Sequence, residues 1–191
     1  MTDIEKLRED VAYVRAAAKR SDTDIVPCRS IYLLWAVIGL CGFTLMDFAP
    51  EPWWTNTYWF IFAPVGMVLS YWFAKREVLQ LGQGDRRMGI RAMYHWIAFI
   101  VAGLLGGLLV AGGHLSGPGL GSLWVLLLAL SYFQAGLHFD RRLIPVGIMI
   151  GIGFAVTIYV PVYGWTAVGI FLAAGLTVQA FLGIRSQDAA H

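Results

Sequence analysis

Apolar runs long enough to cross a bilayer alternate with short polar connections along this 191-residue chain. A helix rises 1.5 Å per residue and the hydrocarbon core is about 30 Å thick, so about 20 apolar residues make one span. Residues 92–139 contain no Asp, Glu, Lys or Arg. As one helix they would reach about 70 Å, so they must fold back. The run from Gly112 to Gly119, with His114, Ser116 and Pro118, supplies the turn. Residues 143–184 repeat the situation and bend at Pro161-Val162-Tyr163-Gly164. The first apolar run closes on Asp47, Pro50, Glu51 and Pro52, which suit a short turn.

The pattern predicts an all-α fold: a six-span transmembrane helical bundle with spans at 30–49, 55–74, 92–112, 120–139, 143–160 and 165–184. The second helix can continue past its span to Leu81, with Gly82 as a C-terminal cap. Residues 1–29 precede the bundle and 186–191 form a tail.

Residues 2–20 read as an amphipathic helix outside the membrane. Ile4, Leu7, Val11, Val14 and Ala18 recur at intervals of three and four and share one stripe. Thr2 and Glu5 have capping-box spacing. The stripe is shorter than the three to four heptads of a coiled coil. It packs on the protein's own face, lies on lipid, or docks a partner helix.

Charge adds orientation. All 14 Lys and Arg residues fall in the N-terminal arm, in alternate connections, or in the tail. Lys6, Arg8, Arg15, Lys19, Arg20 and Arg29 precede the bundle. Lys75, Arg76, Arg86, Arg87 and Arg91 surround the second connection, Arg141 and Arg142 the fourth, and Arg185 starts the tail. This is the positive-inside pattern, and it predicts both termini in the cytoplasm. Only 14% of residues are charged, against about 25% in a soluble domain. The net charge of +2 is too small to point to nucleic acid. Basic side chains gathered on one face would meet anionic lipid instead. The start of the chain is charged and helical, unlike a cleavable signal peptide. Cys28 and Cys41 are separated by about 20 Å of helix and cannot pair with each other. Trp53, Trp54 and Trp59 fit an aromatic belt.

Candidate chemistry is sparse. The middle of the spans lacks Asp, Glu, Lys and Arg, which counts against a proton- or ion-coupled transporter. Polar residues gather toward the cytoplasmic half: Ser70, His95, Ser131, Gln134, His138 and Gln179. His95 and His138 sit at similar depth on consecutive helices, and two facing histidines can ligate a haem or a metal. The simpler reading is helix capping or a hydrogen bond across the bundle. Asp47, Glu51 and His114 gather on the other side without a ligand spacing, and read as solvated loop residues. No hydrolase, zinc-protease, thiol-redox or phosphate-loop motif occurs. No metal site or cofactor is assigned. The run Gly117-Pro118-Gly119-Leu120-Gly121 reads as a flexible turn. Small residues at four-residue spacing (Ala102 and Gly106, Gly103 and Gly107, Gly147 and Gly151, Gly169 and Ala173) let helices approach closely, within one chain or in a homo-oligomer.

The segment Leu7-Arg8-Glu9-Asp10-Val11-Ala12, with the short polar link and the hydrophobic spans after it, resembles a type of small bacterial polytopic membrane protein that has an N-terminal cytoplasmic helix. The resemblance covers the arm and the layout only. It implies a bacterial inner-membrane location and carries no activity. The expectation is a non-enzymatic subunit or regulatory partner. Its cytoplasmic face (Ile4, Leu7, Val11, Val14, Arg86, Arg87 and Arg91) would engage a protein or anionic lipid. Passive passage of a small solute, and a haem or metal site at His95 and His138, are the alternatives.

Overall fold

The computed structural model describes Val11 and residues 29–81, 86–160 and 162–188. Among these residues the chain is helical, with turns and no strand. The helices are α1 (Arg29–Phe48), α2 (Pro52–Leu81), α3 (Arg86–Ala111), α4 (Gly117–His138), α5 (Leu143–Tyr159) and α6 (Gly164–Asp188). Five of them hold windows long and apolar enough to cross a membrane. The sixth, α5, has 17 residues. It rises about 26 Å, slightly less than a typical hydrocarbon core.

Local chemistry sets the helix ends. Proline costs nothing in a first turn, where no backbone partner is available for its missing N–H, and α2 starts on Pro52. α3 starts at Arg86, so Arg86, Arg87 and Arg91 belong to a helix rather than to a loop. The glycine-rich run at 117–121 is a correction to the sequence reading: it is the first turn of α4 and not a flexible turn. Ser116 is extended, and its Oγ accepts from the Gly119 N–H at 3.2 Å. That satisfies one of the orphan donors of the helix, and Pro118 sits where proline is tolerated. The chain reverses just before this at Gly113, whose φ of +74° is open to glycine.

Packing joins the helices in the series α2, α1, α6, α5, α4, α3. The α1–α6 contact is the most extensive, followed by α5–α6 and α4–α5. The two ends of the series, α2 and α3, are consecutive in sequence. Among the described residues they do not approach to packing distance. The core comes from the four central helices: Ala36 and Phe43 of α1, Val125 and Tyr132 of α4, Val146 and Ile150 of α5, and Val168, Leu172 and Leu176 of α6. Among the described residues, α2 and α3 contribute only glycines to the fully buried set: Gly66, Gly103 and Gly106.

Glycine sets the closest approaches. A Cβ on Gly147 of α5 would lie 2.6 Å from the Phe133 backbone nitrogen and 2.8 Å from the Ala129 carbonyl oxygen of α4. Gly107 and Gly151 have the same four-residue spacing from a packed glycine, yet open space surrounds both.

Candidate functional site

Contacts between helices define two ends of the bundle. At one end Arg29 lies over the Phe181 ring, Tyr32 meets Asp140, and His95 meets Phe139. At the other, Asp47 meets Thr166 and Phe48 stacks on Tyr163. Following each helix from these contacts places Arg29, Lys75, Arg76, Arg91, Arg141 and Arg142 at the first end, with Arg86 and Arg87 in the opening turn of α3 beside them. Opposed helix directions thus turn an alternating charge pattern into one basic rim.

The polar residues singled out above resolve into separate hydrogen bonds. Ser70 of α2 accepts from Trp35 Nε1 of α1 at 2.9 Å, and its own hydroxyl donates to the Gly66 carbonyl at 2.7 Å. His95 of α3 places Nε2 3.0 Å from the Ser131 carbonyl oxygen of α4. His138 uses Nδ1 on the Gln134 carbonyl of its own helix at 2.8 Å. Both imidazoles pack against Phe139. Gln134 is exposed, while Ser131 is buried and Gln179 is only 6% exposed. The α1–α6 register, read from Asp47–Thr166 and Arg29–Phe181, sets Gln179 level with Tyr32. No group of three or more His, Cys, Asp or Glu side chains suited to a metal ion occurs among the described residues.

Two carboxylates play parts that sequence reasoning did not assign. Asp140, between α4 and α5, accepts from the Tyr32 hydroxyl at 3.2 Å and from the Arg142 N–H at 3.0 Å. It ties the start of α1 to the α4–α5 connection. Asp47, at the end of α1, accepts from the Thr166 N–H at 2.6 Å. That N–H belongs to the first turn of α6, where backbone donors lack helical partners and the helix dipole favours an anion. Asp47 therefore caps α6 from another helix, and the solvated-loop reading of Asp47 is corrected. Glu51 and His114 are exposed. The only sequence signal for Asp47 was an acid at the end of an apolar run, which any loop residue shares. The Thr166 hydroxyl is buried without a hydrogen-bond partner, and nothing in the structure explains it. In the same half of the bundle, Thr157 spends its hydroxyl on the Phe154 carbonyl of its own helix.

Of the expected interaction stripe, Ile4, Leu7 and Val14 lie outside the described residues. Val11 is helical, with its side chain 45% exposed. Arg91 is exposed at the basic rim. Among the described residues the arrangement is all-helical, with five long apolar helices of the kind found in membranes. No protein family model, curated protein or solved structure matches the chain.

Proposed function

We propose that this chain is a six-span subunit of a bacterial inner membrane, with α5 as the sixth span and both termini cytoplasmic. It acts without catalysis of its own, by engaging a protein partner or anionic lipid through the N-terminal arm and the 75–91 segment. The observation that carries the reading is how the polar groups are used. Within the bundle they hold helices together: Trp35 to Ser70, His95 to the Ser131 carbonyl, Tyr32 to Asp140, and Asp47 to the α6 terminus. The cations sit on one rim instead, where Arg29, Lys75, Arg76, Arg91 and Arg141 are exposed. The positive-inside bias supports a cytoplasmic rim.

The test is a mild-detergent pull-down of the intact chain and of a variant lacking residues 1–20, with mass spectrometry and an absorption spectrum of each sample. A stoichiometric partner lost on truncation is the expected result. Unchanged partners would sink the docking role of the arm. A Soret band would transfer the proposal to a haem site at His95 and His138.

A further inference from the structure

At the basic end, the core of the inner helices closes on polar groups. Gln179 of α6 is 6% exposed and Tyr132 of α4 is 7% exposed. Neither side chain makes a hydrogen bond among the described residues. An amide carries donors and an acceptor, and leaving it buried, dry and unpaired is costly. The α1–α6 register brings Tyr32 to Gln179. Gly39 of α1 packs so closely on the Leu172 side chain of α6 that a Cβ there would collide. Tyr32 and Gln179 each lie seven residues from that contact toward the basic end, which is about two helical turns and returns to the same face. Arg29 over the Phe181 ring continues the same register. The Tyr32 hydroxyl donates to Asp140 at 3.2 Å, and its oxygen keeps a lone pair that can accept. Tyr32 packs on the core cluster that contains Tyr132 and Leu176, and the two phenols are near enough to interact electrostatically. The site also admits something the size of water. Among the described residues that are not exposed, Thr166 Oγ1 is the one side-chain nitrogen or oxygen both sealed and unpartnered. The unpartnered Gln179 amide and Tyr132 hydroxyl therefore each keep surface that a water molecule can touch.

We propose that Gln179, Tyr132 and Tyr32 hold a water molecule between α6, α4 and α1 at the basic end of the bundle. The water accepts from the Gln179 amide or the Tyr132 hydroxyl and donates to the Tyr32 oxygen. A buried water typically makes about three hydrogen bonds, which these groups supply. Water is selected over an ion because the three side chains are neutral, while the Asp140 carboxylate already accepts from Tyr32 and from the Arg142 N–H. One turn deeper, Ala36 and Leu176 are apolar and sealed, at 4% and 0% exposed. The site is therefore blind: it joins helices where the arm enters the bundle and is not the mouth of a solute path. It does not depend on the proposed cytoplasmic partner.

X-ray hydroxyl-radical footprinting of the detergent-solubilised full chain tests it, because radicals formed from a held water oxidise the side chains around it. Phe43 is the dry control, an aromatic ring 6% exposed in an apolar part of the core, and the exposed Tyr163 is the wet one. In the wild type, Tyr132 and Tyr32 should be oxidised well above Phe43 despite their burial. Gln179→Leu, similar in size but without the amide, should bring Tyr132 and Tyr32 down to the level of Phe43 and leave Tyr163 unchanged. Oxidation of wild-type Tyr132 no faster than Phe43 overturns the site, because the layer is then dry. Unchanged oxidation of Tyr132 in Gln179→Leu also overturns it, because the amide then holds nothing. Circular dichroism confirms that the variant is folded, and the wild-type comparison of Tyr132 with Phe43 can refute the site without it. None of these results bears on whether the arm engages a partner.

Discussion

The apolar window of α6 is 39% buried within the protein, and that of α2 only 6%. Both helices are long and rich in large side chains, so composition does not separate them. Position in the packing series does. α6 is clasped by α1 on one side and α5 on the other, whereas among the described residues α2 packs on α1 alone. Lipid tails are as apolar as leucine, so a membrane helix gains little by burying such residues; close fit and hydrogen bonds hold it in place. The inner helices use close fit, through Gly147 against the α4 backbone and Gly169 against the Leu40 backbone of α1. The flanking helices also use side-chain hydrogen bonds, Trp35 to Ser70 for α2 and His95 to the Ser131 carbonyl for α3, and their close contacts at Gly66 and Gly103 meet side chains rather than backbone.

The sharpest break of this contrast is a pair of identical substitutions on α5. Gly147→Ala should destabilise the bundle by about 1–3 kcal/mol, because the new methyl meets backbone atoms that side-chain rotation cannot relieve. Gly151→Ala, one turn away in open space, should be neutral or up to about 1 kcal/mol stabilising, since alanine loses less backbone entropy in a helix. Unfolding in a detergent–denaturant titration would show the opposite signs. Equal costs would mean that α4 and α5 are not in contact along this face.

A smaller effect belongs to the cap. Asp47→Ala should cost about 1–2 kcal/mol by stranding the Thr166 N–H, and Asp47→Asn, which keeps an acceptor, should recover most of it. The same titration reads both variants. A rescue by asparagine separates loss of the acceptor from loss of charge. The smallest effect is at a flanking helix: a double-mutant cycle of Trp35→Phe with Ser70→Ala should return a coupling of about 0.6 kcal/mol, the average for hydrogen bonds inside membranes. A value near zero would leave α2 held to α1 by packing and by the Tyr58 and Thr55 hydroxyls, which donate to the Ile38 and Leu45 carbonyls of α1.

Particular residues show how far the sequence could be read. The absence of charge from 92–139 and 143–184 was enough to require folded-back helices, because no single helix of that length fits a bilayer. Helix starts were less legible. Ser116 and Pro118 carry a capping signal, but the glycines around them mimic a loop. The polar group in one half of the bundle was visible as residue types, yet its pairing was not: Ser70 and His95 serve different helix pairs, and nothing in their spacing says so.

By itself the sequence determined that the chain is helical, where its helices turn back, and that its cations fall in alternate connections. These follow from length, hydropathy and charge placement, which are local properties. Only the tertiary structure decided which four helices share the core and which glycine of each spaced pair is packed. It also decided that Asp47 caps a helix more than a hundred residues away and that, among the described residues, α2 and α3 do not pack together. Those outcomes depend on which faces meet across the bundle, and an apolar helix with similar residues all round carries little information about which face that will be.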